Sequence, residues 1–342
     1  AMTLKDIGEF GFIRRIREGC IVRPEGVVAG IGDDAAAFRA SAGRISLLTT
    51  DLLVERVHFL RDAQTGAELG WKAMAVNLSD IAAMGGFARE AFVSIAVPES
   101  CGLAYLEDLF AGMKAAARRY AVNILGGDTT GSLADLAINV AVYGEVPEAE
   151  MLTRAAARPG DVVVATGCLG DSRAGLHLIT GGTPLDTPEL ARLRDAHVRP
   201  EPHLREGRLL ASAGGARAAI DVSDGLSSDL LHIVEESRVG ARLFADRLPV
   251  SDALRYYCSR FGKSAIEYAL SGGEDYVLLA TVAAERADAL AERFAAEIGR
   301  PLHRIGAITA GGGMELVDAD GSVRPLSPAG WDHFKGDAHD TR

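Results

Sequence analysis

The chain has 342 residues, of which 48% are hydrophobic, and this is enough apolar material for two domains with separate cores. Its formal net charge of −11 excludes a general binder of nucleic acid or of anionic membranes, because those partners require a cationic surface. The four cysteines are widely separated and form no C-x-x-C pair, so neither a zinc site nor a disulfide framework is predicted. No apolar run approaches the roughly 18 residues of a membrane-spanning helix. We expect the protein in a reducing cytoplasm.

Hydrophobic periodicity predicts a first domain that mixes helices with a sheet. The predicted elements, in chain order, are a helix at 4–17, a strand that ends at Thr50, a helix at 66–84, a strand at 90–97, a helix at 103–121, and strands at 122–125 and 136–143. The helix at 66–84 is stopped by Gly85-Gly86, which is a common C-terminal signal. Periodicity lapses around residue 150, so we predict domains at 1–150 and 151–342.

The second predicted domain opens on a strand at 161–165, which leads into a glycine-containing turn and a helix. Further helices are predicted at 188–197, 202–213, 225–237 and 285–298, and further strands at 217–221, 241–245, 276–282 and 302–308. Helices and strands therefore alternate in this half as well.

Six short segments each place a carboxylate beside glycine, serine or threonine. They are Gly32-Asp33-Asp34, Thr49-Thr50-Asp51, Leu78-Ser79-Asp80, Gly127-Asp128-Thr129, Asp221-Val222-Ser223-Asp224-Gly225 and Gly273-Glu274-Asp275. Several follow strand-like runs, so the acids are expected at strand ends, where distant segments can converge. Two unit charges about 4 Å apart repel by roughly 4 kcal/mol at an effective dielectric of 20, so such a cluster requires cations or protons. The pattern predicts a site for magnesium and phosphate.

Three of these segments carry specific expectations. Asp80 lies within an apolar helix, which favours a metal-compensated acid over a solvent-facing one. The glycines before Asp128 follow an apolar strand, so their amides could approach a phosphate, although a plain tight turn would fit the same residues. Asp221 and Ser223 share one side of a strand end, and Asp224 occupies a helix-capping position.

Two familiar nucleotide signatures are incomplete in this chain. The segment 30–35 matches a loose G-x-G-x-x-A pattern, but two aspartates would face the pyrophosphate. Gly262-Lys263-Ser264 resembles the end of a P-loop, but position 257 is tyrosine rather than glycine. Phosphate charge must then be met by metals and by arginines such as Arg154. The histidines show no catalytic spacing, and on spacing alone His58 is structural.

Taken together, eight ordered motifs resemble the thiamine-monophosphate kinases, a family within the ATP-binding proteins named for aminoimidazole ribonucleotide synthetase. The resemblance covers nearly the full length. The motifs are Gly-Ile-Gly-Asp-Asp at 30–34, Thr-Thr-Asp at 49–51, Val-His-Phe at 57–59, Ala-Val-Asn-Leu-Ser-Asp-Ile-Ala-Ala-Met-Gly at 75–85, Gly-Gly-Asp-Thr-Thr at 126–130, Asp-Val-Ser-Asp-Gly-Leu at 221–226, Ser-Gly-Gly-Glu-Asp-Tyr at 271–276 and Gly-Trp-Asp-His-Phe at 330–334. Arg56 departs from the pattern, which has a small residue such as glycine there.

The resemblance implies a two-domain α+β fold. In it, the N-terminal domain binds ATP and magnesium and pairs in a homodimer, and the C-terminal domain completes the active site. It also implies transfer of the ATP γ-phosphoryl group to thiamine monophosphate, giving thiamine diphosphate, with no part for nucleic acid or membrane.

By position, the resemblance assigns roles to individual residues. The magnesium ligands would be Asp34, Thr49, Thr50, Asp51, Asp80, Asp128, Asp221 and Asp224. The ATP contacts would be Tyr120, Gly127, Asp128, Arg154 and Ser223, and the thiamine contacts His58, Glu274 and Trp331. Asp51, Asp128 and Asp224 are the predicted catalytic acids.

Two alternatives stay open. One is another ATP-dependent phosphotransferase or synthetase of the same superfamily. The chain ends in Asp340-Thr341-Arg342, whereas a hydrogenase-maturation protein would end in a catalytic cysteine. The other alternative is a non-catalytic, acidic cation-binding module.

Overall fold

Helices alternate with strands through residues 4–32 and 35–330, the part of the chain that this computed structural model describes, with side chains from residue 6. The chain divides into two units. Unit 1 holds the residues up to Ile81 and Gly86–Ala149, and unit 2 holds Ala82–Gly85 and the residues from Glu150 onward. Both units combine helices with sheets, which confirms the predicted α+β class. No helix within the described chain has the length and apolarity needed to cross a bilayer.

Unit 1 is built on a four-stranded mixed sheet of order β3-β6-β4-β5. Strand β5 runs parallel to β4, while β6 is antiparallel to both β3 and β4. The elements are α1 (Leu4–Ile16), β1 (Val27–Ala29), β2 (Ala37–Phe38), β3 (Arg44–Val54), α2 (Gly66–Ala83), β4 (Phe87–Pro98), α3 (Leu103–Tyr120), β5 (Asn123–Ser132) and β6 (Ala137–Pro147), with the last two residues of α2 counted in unit 2.

Helices α2 and α3 approach each other closely because glycines face the partner backbone. A Cβ on Gly70 would lie 1.9 Å from the Leu109 carbonyl oxygen, and one on Gly112 would lie 2.0 Å from the Ala67 carbonyl oxygen. No side chain fits at such distances, so the two helices are locked at glycine-only contacts. The position of α2 along α3 is therefore fixed by backbone contact.

Two strands of unit 1 are longer than the sequence predicts. Strand β3 continues past Thr50 to Val54, and β5 continues from Leu125 through the glycine-rich run to Ser132. The expectation that Asp51 and Asp128 lie beyond strand ends is therefore wrong, since both lie inside strands. The cause is pairing with β6 and β4, which satisfies the backbone even where polar and glycine residues weaken the strand pattern.

Unit 2 is built on a seven-stranded sheet of order β13-β12-β9-β11-β7-β10-β8. Its elements are β7 (Val162–Ala165), α4 (Asp171–Thr180), α5 (Pro188–Val198), α6 (Leu204–Ser212), β8 (Ala216–Asp221), α7 (Leu226–Ser237), β9 (Gly240–Phe244), α8 (Asp252–Phe261), α9 (Ala265–Ser271), β10 (Leu278–Val282), α10 (Ala287–Ile298), β11 (His303–Thr309), β12 (Gly313–Val317) and β13 (Val323–Pro325).

Both faces of this sheet are buried. On β7, Val163 and Ala165 join one apolar cluster with α7, while Val164 joins a second cluster with α6 and α10. A sheet covered on both sides has continuous apolar strands, and this explains why β7 and β10 were predictable from composition. Helices α8 and α9 were not predicted, although Ser251 and Ser264 cap their N-termini with side-chain hydrogen bonds.

A buried polar network joins α6 to β7 in unit 2. The amide of Leu278 donates to the Thr166 hydroxyl (2.8 Å), and the same hydroxyl is hydrogen-bonded to Nδ1 of His203 (2.6 Å). The Arg300 guanidinium lies 3.3 Å from the same ring and is paired with Glu206 (2.7 Å). Burial, and then the nearby Arg300 cation, lower the pKa of His203 to about 3. His203 is therefore neutral in the folded protein.

We expect His203 to make the protein acid-sensitive. Its folded pKa lies below the ordinary value of 6.5, so the unfolded chain binds a proton that the folded chain refuses. Stability from this group is complete above pH 6.5 and is lost as pH falls towards 3, by about 1.4 kcal/mol per pH unit. For His203→Asn, whose side-chain amide offers both a donor and an acceptor in place of Nδ1, the free energy of unfolding measured with denaturant should fall less steeply as pH decreases from 6.5 towards 3. His232→Asn, at an exposed position, is the control, and an unchanged slope in His203→Asn would contradict the prediction.

Candidate active site

Unit 1 brings together three of the predicted metal ligands. Thr49 and Asp51 share one face of β3, and the Thr49 hydroxyl donates to the Asp80 carboxylate of α2. From Lys72 to Ala83 every residue of α2 is buried except Asp80, which is half-buried. The helix thus presents a single carboxylate at the place where β3 supplies a second one.

The carboxylates of Asp51 and Asp80 carry like charges and repel each other. Burial, and then the neighbouring Asp80 carboxylate, raise the pKa of Asp51 to about 6. A threonine hydroxyl and two carboxylates form an all-oxygen donor set, which is the set that hard divalent cations prefer. The residues present therefore fit a magnesium ion, whose charge would relieve the repulsion that the fold maintains.

Thr50 and Asp128 lie elsewhere in unit 1. Thr50 points to the other face of β3, where its hydroxyl accepts from the Asn139 amide (2.8 Å). Asp128 is exposed on β5, at the opposite edge of the sheet from β3. Three strand spacings, roughly 14 Å along the sheet, separate β5 from Asp51. Asp128 and Asp51 therefore do not belong to one cluster of carboxylates within unit 1.

The predicted ATP contacts of unit 1 lie on two elements. Tyr120 ends α3 with its ring 5.8 Å from Trp71, and the Arg119 guanidinium lies 5.5 Å from it. Gly127 lies within β5 at a φ of 154°, where a Cβ would stand 1.7 Å from the Val93 carbonyl oxygen. Only glycine fits there, and the position exposes backbone rather than side chain.

The loop after β3 fixes His58 in one tautomer. The Val54 amide donates to Nδ1 of His58 (3.0 Å), so Nδ1 must be the acceptor nitrogen and the neutral ring carries its proton on Nε2. In the same loop Arg56 has a φ of 66°, a left-handed conformation that favours glycine, and its side chain pairs with Asp135 (2.7 Å). The departure at Arg56 noted in the sequence is thus a residue held at a glycine-like position.

Unit 2 builds its acidic loop around a residue that was not predicted. Asp221 is the last residue of β8, and the carboxylate of Asp229 accepts hydrogen bonds from the amides of Ser223 (3.1 Å), Asp224 (3.1 Å) and Gly225 (3.0 Å). Asp224 is therefore not the helix cap that was predicted, since Gly225 occupies the N-cap position without a side-chain bond. Burial, and then Asp224, raise the pKa of Asp229 to about 7. An acid in the first turn of a helix was the sequence signal for this role.

Glu274 lies against this loop, whereas Arg154 does not. The amide of Glu274 donates to the Ser223 carbonyl (2.7 Å), and Glu274 has a left-handed φ of 62°. The Arg154 carbonyl instead accepts from the Ser237 hydroxyl (2.7 Å) at the far end of α7, about 18 Å of helix from Ser223. Unit 2 therefore groups Asp221, Ser223, Asp224 and Glu274, with Arg154 apart.

Two predicted residues, Asp34 and Trp331, lie outside the described residues. Among the side chains of residues 6–32 and 35–330, no three of the His, Cys, Asp and Glu type are grouped closely enough to hold a metal without other ligands. In unit 1 the described acids Asp51 and Asp80 come together as a pair. The roles of all these residues as ligands stay predictions.

Comparison with known proteins identifies the family of the chain. The AIR synthase related protein N-terminal domain matches residues 32–146, and the corresponding C-terminal domain matches residues 158–319. A thiamine-monophosphate kinase of Aquifex aeolicus is 38% identical over 97% of this chain and 100% of its own length. One of Escherichia coli is 37% identical over 96% of this chain and 98% of its own. A solved structure described as AaThiL complexed with AMPPCP and TMP has a TM-score of 0.78 at 36% identity, covering 98% of this chain and 99% of that one. The chain belongs to the thiamine-monophosphate kinase family of AIR synthase related proteins.

Proposed function

We propose that this protein transfers the γ-phosphoryl group of ATP to the phosphate of thiamine monophosphate, giving ADP and thiamine diphosphate. The observation that carries the proposal is the juxtaposition of Asp51 and Asp80 with Thr49, because this all-oxygen donor set suits the divalent cation that ATP-dependent phosphoryl transfer uses. Family membership over nearly the whole chain supports the choice of acceptor.

The acceptor in this reaction needs no general base. A phosphate oxygen is already ionised near neutral pH, so no proton has to be removed before it attacks. The reaction needs instead that two phosphate groups be neutralised and that attacking and leaving oxygens be aligned in line. Carboxylates that hold cations, rather than a histidine base, meet that need.

We propose that the carboxylates and threonines named from the sequence hold several magnesium ions. They are Asp34, Thr49, Thr50, Asp51, Asp80, Asp128, Asp221 and Asp224, of which Asp51, Asp128 and Asp224 are the most direct for catalysis. When bound, magnesium supplies positive charge to the phosphate oxygens and lowers their mutual repulsion. For Thr50, we expect any such contact to come through its backbone, since its hydroxyl is turned to Asn139.

The remaining residues are proposed to bind and orient the substrates. Tyr120, Gly127, Arg154 and Ser223 would contact ATP, with Gly127 offering backbone and Arg154 a cation. For thiamine monophosphate, His58 would donate from Nε2, and Glu274 would accept a hydrogen bond. Trp331 would stack on the pyrimidine. We also propose a reducing, cytoplasmic location, which the four free thiols support.

We propose that the protein is a homodimer that pairs through unit 1. Leu48 and Leu52 lie on the same face of the edge strand β3 and are 76% and 54% exposed. Two large, exposed apolar side chains on one open sheet face favour a protein partner. A second copy of the same surface would bury them with the symmetry that homodimers use.

For the dimer, we expect Leu48→Glu to shift the protein to a monomer, because a carboxylate would be buried against its symmetry mate. Light scattering at several protein concentrations measures the change. Leu185→Glu replaces a leucine that is also exposed, at 43%, but lies in unit 2, and it should leave the mass unchanged. A wild-type protein that is monomeric at all concentrations would contradict the pairing.

The acceptor assay is the direct test of the proposed activity. Purified protein with ATP, magnesium and thiamine monophosphate should form thiamine diphosphate and ADP in equal amounts, as measured by chromatography. Turnover of ATP only with a different acceptor would favour another enzyme of the superfamily. Cation binding with no turnover of ATP would favour the non-catalytic module.

The Asp80→Asn variant tests the paired carboxylates. Because it removes one of the two carboxylates in this donor set, we expect turnover to fall at least about 100-fold. In magnesium-free buffer its melting temperature should equal or exceed that of the wild type, since a repulsion is lost.

Added magnesium should stabilise the wild type in a thermal unfolding experiment, whereas Asp80→Asn should gain much less. The exposed Asp62→Asn is the matched control and should behave like the wild type. Equal stabilisation of all three proteins by magnesium would remove Asp80 from the site.

A further inference from the structure

The carboxylate of Glu274 lies against a buried histidine of another helix in unit 2. Nδ1 of His197, near the end of α5, is 3.4 Å from Oε2 of Glu274. The same nitrogen is 3.0 Å from the hydroxyl oxygen of Ser172, in the first turn of α4. His197 and Ser172 are both buried, whereas the Glu274 side chain is 27% exposed. The partly exposed Glu274 carboxylate is therefore contacted from inside unit 2 by the buried His197 side chain.

Packing holds this histidine in place. A Cβ on Gly175 of α4 would lie 2.9 Å from Cβ of His197, so glycine is what lets α5 come this close. The loop that carries Glu274 is fixed to the same helix end, since the buried Asp275 carboxylate accepts from the amides of Gly170 (2.6 Å) and Ser172 (3.2 Å). Ser172 thus binds Asp275 through its backbone and His197 through its side chain.

The backbone of Glu274 also indicates a position held for function. Its φ of 62° is uncommon for a residue with a side chain, and such residues persist where the surroundings fix them. The Ser223 carbonyl and the Asp275 anchors provide that fixation for the backbone. They leave the long glutamate side chain with its own rotamer freedom, which a contact at its carboxylate would reduce.

The arrangement is not a nucleophilic triad. In a Ser-His-acid triad the serine and the acid contact different ring nitrogens, so that a proton can pass across the ring. Here Ser172 and Glu274 both face Nδ1 of His197, and Ser172 is only 1% exposed. An ionised Glu274 can only accept, so the contact requires a proton on Nδ1.

We propose that His197 is a positioning residue that holds the Glu274 carboxylate in the orientation that binds thiamine monophosphate. The proposal rests on the function proposed above, in which Glu274 accepts a hydrogen bond from that substrate. It makes His197, with Ser172 behind it, a determinant of acceptor affinity rather than of ATP binding or of the chemical step.

The test compares His197→Leu, which removes the polar contact, with His197→Asn, whose amide nitrogen can take the place of Nδ1. We expect His197→Leu to raise KM for thiamine monophosphate roughly fivefold to tenfold, with KM for ATP and kcat unchanged. His197→Asn should stay within about twofold of the wild type. In a Glu274→Gln background, His197→Leu should add less than about twofold, because the two residues act as a unit.

Thermal unfolding checks that each variant is folded. If His197→Leu does not fold, Ser172→Ala serves as the second probe. It removes the hydroxyl beside the ring and should raise the same KM about twofold to threefold. An unchanged KM, an equal rise in both KM values, or the same effect with and without Glu274 would overturn the proposal while leaving the enzyme assignment intact. A wild-type protein that forms no thiamine diphosphate would overturn both.

Discussion

Unit 1 holds the carboxylates of Asp51 and Asp80 near each other although their charges repel. Burial, and then the neighbouring Asp80 carboxylate, disfavour the ionised form of Asp51 and raise its pKa to about 6. The fold sustains this pair through rigid supports. Asp80 stands on a helix that is otherwise buried from Lys72 to Ala83 and locked to α3 by glycine contacts, while Asp51 is held by the full β3–β6 pairing. Rigid supports of this kind would reduce the reorganisation needed to bind the proposed cation.

Unit 2 uses carboxylates in a second way, as acceptors for its own backbone. Asp229 gathers three amides of the loop that carries Ser223 and Asp224, and Asp275 gathers two amides at the start of α4. These amides belong to loops or to the first turn of a helix, where regular backbone pairing does not supply an acceptor. The acids proposed to bind substrate or metal thus lie on loops whose conformation other carboxylates stabilise.

The sequence predicts elements that depend on local signals well, and strand pairing and the spatial placement of residues poorly. The helix predicted at 66–84 is observed as Gly66–Ala83, since alanine-rich periodicity and the Gly85-Gly86 stop are local signals. The strand predicted at 122–125 ends too early, because pairing with β4 extends β5 through Gly127 despite the low strand propensity of glycine. Spacing could not show that Asp128 and Asp51 lie on opposite edges of one sheet, which follows from strand order alone. Nor could it show that Arg154 lies at the far end of α7 from Ser223.

The short segment Ala82–Gly85 has a consequence for how the two halves can be handled. It belongs to unit 2, where Ala82 and Ala83 join an apolar cluster and a Cβ on Gly207 would lie 2.1 Å from the Ala82 carbonyl oxygen. A fragment that starts at Glu150 would lack this piece of its own interior. The C-terminal half is thus not an independent module that can be excised, transplanted or shuffled by a single cut. During translation, Ala82–Gly85 are synthesised well before the rest of unit 2, whose core they join.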